Sequence, residues 1–200
     1  MADKIKAIIF DYGGVLSKHG SFYPLCDTYA PKHGKDAEKL KELLRENWDK
    51  ARTNKISSKL FWKNLAKFLE VDEEIFRKDV MGYFGFRNDV FNLIKKLKKQ
   101  YKTALLSNQI EDWLEKIIKE KNFKGVFNVI VTSYNSKRAK PDIKIFEETI
   151  KKLGAKPEEC IYIDDLEKNR IPAEKLGMKF ILFKNYNQLK RDFKKQGIDI

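Results

Sequence analysis

Residues 5 to 14 read IKAIIFDYGG: six residues that are apolar but for one lysine, then Asp11, Tyr12, Gly13 and Gly14. An unbroken apolar run of this length bounded by turn residues predicts a buried strand stopping at a tight turn. Four later stretches repeat the pattern: YKTALLSN (101–108), VFNVIVTS (126–133), CIYIDD (160–165) and KFILF (179–183). Helical periodicity fills the gaps at 110–121, 142–153 and 169–176, and the last two run into Gly154 and Gly177 as C-terminal stops. Strands alternating with helices predict an α/β fold with a doubly wound, parallel sheet.

Residues 17–88 break this rhythm and offer only helices. Leu40, Leu43, Leu44 and Trp48 share one predicted face; Leu60, Phe61, Leu65, Phe68 and Leu69 a second; Ile75, Phe76 and Val80 a third. Their aromatic residues recur at helical spacing and read as packing, not as a cofactor box. The expected organisation is therefore an α/β core of residues 1–16 and 89–200, with residues 17–88 forming a helical unit inserted after the first strand.

Composition narrows the function. No apolar run approaches the roughly 20 residues of a bilayer-spanning helix, so a soluble protein with no membrane partner is expected. The basic, then apolar start is only a strand long and has no small-residue cleavage site, unlike a signal peptide. Cys26 and Cys160 lie 134 positions apart with no Cys-x-x-Cys pair, which argues against zinc and fits reduced thiols in a cytoplasm. The net charge of +13 comes from 42 basic and 29 acidic residues. Its lysines are spread through amphipathic segments such as NLIKKLKKQ (92–100) and ETIKKLG (148–154), the pattern of solvated helix faces. No nucleic-acid partner is expected, and the charge supports small anionic ligands only weakly.

Ligands of parallel sheets sit beyond the carboxyl ends of the strands, and those ends are unusually polar here. The first strand ends in Asp11, the second in Ser107 and Asn108, the fourth in Asp164 and Asp165, while Lys140 and Pro141 precede the helix after the third. Taken singly, each has an ordinary reading as a turn, a loop start or a solvated lysine. Together they bring three carboxylates, a hydroxyl, an amide and an ammonium to one place. That set suits phosphoryl transfer, in which a carboxylate attacks phosphorus, carboxylate oxygens hold a hard divalent cation and donors neutralise the equatorial oxygens.

The segments FDYGGVL (10–16), LLSNQ (105–109), AKPD (139–142) and IYIDDLEKN (161–169) followed by AEKLGM (173–178) resemble, in order, the four motifs of the haloacid dehalogenase superfamily. The helical insertion resembles its cap, and the character is that of the branch holding the phosphatase domain of soluble epoxide hydrolases and bacterial sugar phosphatases. The resemblance implies a Rossmann-like core, a cap opening and closing over the site, a Mg²⁺ cofactor and a small phosphorylated metabolite as substrate. It implies Asp11 as nucleophile and metal ligand, Ser107 and Asn108 as phosphoryl-binding groups, and Lys140 as the cation stabilising Asp11 and the transferring group. Asp165 would bind the metal directly and the Gly13 carbonyl would add a ligand. Asp164 would support the metal through water, and Asn169 would order the metal loop.

Gly13 departs from that pattern. The family's phosphatases carry at this position an aspartate that protonates the leaving oxygen and then activates water, a role glycine cannot fill. Positioned acid–base groups contribute about 10² to 10⁴ in rate, so the resemblance implies a hydrolase weakened toward alkyl phosphates and less affected on acyl, aryl or anomeric ones. His19 and Tyr23, just beyond the motif, are candidate substitutes. Two alternatives stand beside this reading: a catalytically silent binding member, and a haloacid dehalogenase. The family's dehalogenases carry a tyrosine where Gly13 stands, whereas Tyr12 is one position early, and that chemistry leaves the Asp164–Asp165 pair without a role.

Overall fold

The computed structural model describes residues 4–199. In chain order it contains β1 (Ala7–Phe10), α1 (Tyr23–Lys32), α2 (Ala37–Ala51), α3 (Ser58–Leu69), α4 (Glu73–Phe84), α5 (Asn88–Leu97), β2 (Lys102–Ser107) and α6 (Glu111–Glu120). There follow β3 (Val129–Thr132), the single turn α7 (Ser133–Ser136), α8 (Ile143–Leu153), β4 (Cys160–Asp164), α9 (Arg170–Lys175), β5 (Lys179–Leu182) and α10 (Tyr186–Lys195). All five strands are parallel, in the order β3-β2-β1-β4-β5. The sheet is thus the doubly wound α/β arrangement expected. Its strand order reverses beside β1, the place where such sheets bind ligands.

The central strands are largely apolar because both of their faces are covered. On β1, Ile8 and Phe10 enter one core cluster while Ala7 and Ile9 enter another. On β4, Ile161 and Ile163 join the first, Cys160 and Tyr162 the second. Gly154 closes α8 in the left-handed region at φ 57°, and Gly177 follows α9 at φ 93°.

Between β1 and α5 the chain is helical, as its patterning requires. Asp36, Ser57 and Asp72 cap α2, α3 and α4 by accepting bonds from backbone N–H groups. Their apolar faces form a third cluster, built on Leu44, Phe61, Trp62, Leu65 and Phe76, which also takes in Trp113 of α6 and Ile110 just before it. Two expected face residues depart from the pattern: Leu60 is 42% and Ile75 62% exposed, because each lies at the start of its helix, on the rim of the stripe. Helices α1 and α10 lie outside the predicted helices. The apolar residues of α1 are spread around it, and only Cys26 and Ala30 are buried, whereas α10 does have an apolar face, burying Leu189 and Phe193, within a segment that is otherwise polar and charged. The two connections between this unit and the sheet run side by side, joined by Lys18 N–H to Phe84 O at 2.8 Å and Arg87 N–H to Leu16 O at 2.7 Å. Among the described residues no helix is long and apolar enough to cross a membrane.

Candidate active site

Asp11 leaves the end of β1, and Asp164 and Asp165 leave the end of the adjacent β4. One carboxylate oxygen from each of the three lies within 4.8 Å of the others. Lys140, 2% exposed, is buried among them. Its Nζ is 2.8 Å from Asp11 Oδ1, 2.7 Å from Asp164 Oδ2 and 2.7 Å from the Tyr162 hydroxyl.

Two kinds of carboxylate result. Asp164 is fully engaged: it accepts from Lys140, from the Tyr162 hydroxyl in a short bond, from Asn169 Nδ2 at 2.9 Å and from Leu166 N–H at 2.8 Å. Burial acts to raise its pKa, but Lys140 and these donors outweigh it and hold the group below the usual carboxylate range. Asp165 faces the cavity instead. Burial, with Asp164 alongside, pushes it up to about 6. Asp11 rises further, to about 8, chiefly through burial and against the pull of Lys140. Lys140 stays charged, since the attraction of Asp11 and Asp164 exceeds the penalty of its burial. The raised values at Asp11 and Asp165 mark anionic oxygens with less positive charge around them than they need. A hard dication held by oxygen donors meets that need.

Glycines shape the pocket around Asp165. A Cβ on Gly14, whose φ is +64°, would stand 2.1 Å from Asp165 Oδ2, and one on Gly20 would stand 2.2 Å from it. Both positions therefore need glycine for the carboxylate to lie where it does. Gly13 differs. A Cβ there would meet nothing nearer than Asp11 Oδ2 at 3.7 Å, and its backbone is outside the left-handed region. Its carbonyl accepts Val15 N–H at 2.7 Å, leaving a second lone pair for another partner.

Asn108 lines the cavity, and its side chain grips the backbone of Lys140: Nδ2 donates to Lys140 O at 2.9 Å and Oδ1 accepts Lys140 N–H at 2.8 Å. That grip orients the ammonium, a contribution separate from the phosphoryl contact expected of it. Ser107 is fully buried, and its Oγ has no hydrogen-bond partner among the described residues. Asn169 is buried, with Nδ2 on Asp164 and Oδ1 unpartnered.

The structure adds residues the sequence did not mark. Tyr162, two positions before Asp164, points to the same side of β4 by strand alternation and holds its hydroxyl against both Lys140 and Asp164. Burial and the neighbouring carboxylates push its pKa well above the usual phenol range, so it remains a donor. Gln109 also lines the cavity, and of the arginines whose reach the sequence leaves open, Arg45, Arg52, Arg87 and Arg138, the first two line it. Of the two candidate substitutes for the missing acid, Tyr23 lines the cavity, whereas His19 stacks on Tyr83 with ring centres 4.3 Å apart. Tyr12 is 1% exposed and packs in the core on one side of the sheet.

A parallel sheet whose strand ends gather three carboxylates around a buried lysine is the arrangement of a Rossmann-like hydrolase with a carboxylate–lysine site. The chain belongs to the haloacid dehalogenase-like hydrolases, whose family model matches residues 5–177. It is 23% identical to the pyrophosphatase PpaX of Bacillus cereus, over 88% of this chain and 82% of that one. Over a shorter stretch, 58% of this chain and 52% of the other, it is 32% identical to the glyceraldehyde 3-phosphate phosphatase of Methanothermobacter thermautotrophicus. Among solved structures, a HAD family enzyme of Bacteroides thetaiotaomicron superposes with a TM-score of 0.80 at 24% identity, covering 94% of this chain and all of that one. That enzyme has also been solved in complex with magnesium and inorganic phosphate. L-2-haloacid dehalogenase from Xanthobacter autotrophicus shares the fold at a TM-score of 0.61 and 18% identity, over 98% of this chain and 85% of the other.

Proposed function

We propose that this hydrolase is a magnesium-dependent phosphatase acting on a small phosphorylated metabolite through an aspartyl phosphate on Asp11. The observation that carries the reading is the meeting of Asp11, Asp164 and Asp165 within 4.8 Å around Lys140. Three carboxylates with one buried ammonium form an oxygen-donor set of net negative charge, which suits Mg²⁺. Asp11, Asp165 and the Gly13 carbonyl would hold the ion, with Asp164 supporting. Bound there, it would neutralise phosphoryl oxygens and keep both carboxylates deprotonated.

The chain's own groups supply the remaining steps. Asp11 Oδ attacks phosphorus, and the bond to the leaving oxygen breaks with its electron pair going to that oxygen. Lys140, fixed by Asn108 behind it and by Asp164 and Tyr162 beside it, presents a positive charge to Asp11 and to the transferring group. Ser107 Oγ, buried and unpartnered, is available to donate to a phosphoryl oxygen. Water then cleaves the aspartyl phosphate, releasing phosphate and restoring Asp11. Because Gly13 cannot protonate the leaving oxygen, substrates whose leaving group departs unprotonated are favoured. The relatives named as a pyrophosphatase and a glyceraldehyde 3-phosphate phosphatase support the reaction class. The burial of Tyr12 in the core, away from the cavity, supports phosphoryl transfer over dehalogenation.

The residues around the site are proposed to divide as a core of 1–16 and 89–200 and a cap of 17–88. The test is phosphate release from a broad panel with and without magnesium, on the parent and on Asp11→Asn. Magnesium-dependent release that disappears in Asp11→Asn is expected. Release retained by the variant, or halide release without metal, would overturn the proposal.

A further inference from the structure

The cavity above Asp11 is about 490 Å³, far more than a phosphoryl group needs and within the range of sites that enclose whole small molecules. Its inner end is the carboxylate–lysine cluster. Its outer wall comes from one side of α2 and the residue that ends it: Leu44, Arg45, Trp48, Asp49 and Arg52 all line the cavity, at the three- and four-residue spacings that share a helix face. Phe22 and Phe84, with ring centres 4.8 Å apart, and Trp48, 5.5 Å from Phe22, also line it. The cavity therefore has an anionic, lysine-bearing floor at the sheet, three aromatic rings in its wall and two arginines on its α2 side.

The α2 side carries more cation than its own pair absorbs. Arg45 and Arg52 line the cavity there with a single acid, Asp49, whereas Lys168 lines it near Asp165. Arg52 Nη2 bonds Asp49 Oδ1 at 2.7 Å, yet its Nε is buried with no acceptor among the described residues. A buried guanidinium donor left unpaired is costly, and an anionic acceptor arriving in the cavity removes that cost. Arg45, on the same side of α2, lines the cavity beside Arg52.

We propose that Arg52, with Arg45 beside it, forms a second anion-binding subsite, so that the substrates are phosphates whose leaving group carries a further acidic group beyond an apolar middle. This inference rests on the phosphatase reading only for placing the transferred phosphoryl group on the floor. The distal acid lies on the α2 side, and the aromatic rings of the wall pack against the apolar part. Selection then comes from the leaving group's far end, while the floor treats all phosphoryl groups alike.

The test uses benzylphosphonate, which cannot be hydrolysed, against benzylphosphonates bearing a carboxylate or a second phosphonomethyl group at the meta or para position. Dissociation constants are measured by calorimetry with magnesium, on the parent, Arg52→Gln and Arg45→Gln. The parent is expected to bind at least one acidic probe about tenfold or more tightly than benzylphosphonate, the scale of a charge-assisted hydrogen bond. That ratio should collapse toward one in Arg52→Gln and shrink in Arg45→Gln. Whichever acid shows the larger ratio identifies the distal group. Equal affinity across the series in the parent, or a preference that survives both substitutions, overturns the subsite. Phosphate release from phenyl phosphate is followed separately: its absence with magnesium counts against the phosphatase reading and leaves the phosphonate result standing on its own.

Discussion

Replacing Gly13 with aspartate supplies the carboxylate that the proposed phosphatase chemistry lacks here. A Cβ at Gly13 makes only ordinary contacts, 3.7 Å to Asp11 Oδ2 and 3.9 and 4.0 Å to Gly20 backbone atoms. With no left-handed backbone there, alanine should cost little and can gain about 0.4–1 kcal/mol by restricting the unfolded chain. The aspartate adds a fourth acid beside Asp11, a repulsion that bound magnesium offsets. A positioned acid–base group contributes about 10² to 10⁴ in rate, or about 2.7 to 5.4 kcal/mol of barrier at 1.36 kcal/mol per decade. Phosphate release should therefore rise by that factor for an alkyl phosphate such as glycerol 2-phosphate. The rise should be smaller for 4-nitrophenyl phosphate, whose leaving group departs without a proton. Both are measured at saturating magnesium on the parent, Gly13→Ala and Gly13→Asp, with thermal unfolding as the control for folding. If both variants fold and Gly13→Asp accelerates neither substrate, the absent acid is not what limits this protein, and the reasoning fails.

Magnesium affinity should rise with pH. Asp165 at about 6 and Asp11 at about 8 must lose protons to hold the ion, so calorimetry from about pH 5.5 to about pH 8 should show tightening binding. A flat profile, or equal affinity in Asp165→Asn, removes these groups from the metal site. The same shifts set the stability of the metal-free protein: with folded pKa values above the ordinary 3.8, the native state holds more protons than the unfolded one, so stability should fall as pH rises from about 4 to about 8. Magnesium should reverse that loss, which thermal melts across the range would show. Gly14→Ala, forcing a Cβ to within 2.1 Å of Asp165 Oδ2 at a φ of +64°, should lower stability by roughly 1–3 kcal/mol and weaken magnesium binding, whereas Gly13→Ala should do neither. Tyr162→Phe removes a donor to Asp164 and a partner of Lys140; a loss of about 1–3 kcal/mol in chemical denaturation, with lower turnover, is expected, and an unchanged midpoint would show that the hydroxyl is dispensable.

The sequence by itself determined the sheet and the ends of its strands. Continuous apolar runs such as AIIF and CIYI can be satisfied only where both faces are covered, and a polar residue closing such a run must sit at the strand's end. That is why Asp11, Ser107 and Asp164 could be placed from the sequence, whereas the departure at Gly13 was visible only through the resemblance to the haloacid dehalogenase motifs. What the linear pattern lacked were relations between segments far apart in the chain. Tyr162 reads as one more apolar strand residue until β4 lies beside β1 and its hydroxyl meets Lys140. Asn108 reads as a ligand-binding amide until the turn at Lys140 comes within its reach. The different demands at Gly13, Gly14 and Gly20 depend on where Asp165 turns its carboxylate, and Arg45 and Arg52 sit among surface charges on α2 that no local rule distinguishes. Helical and strand periods are short-range properties that a chain carries in its order; the contents of a cavity depend on which faces the packed core leaves opposite one another, and only the tertiary structure decides that.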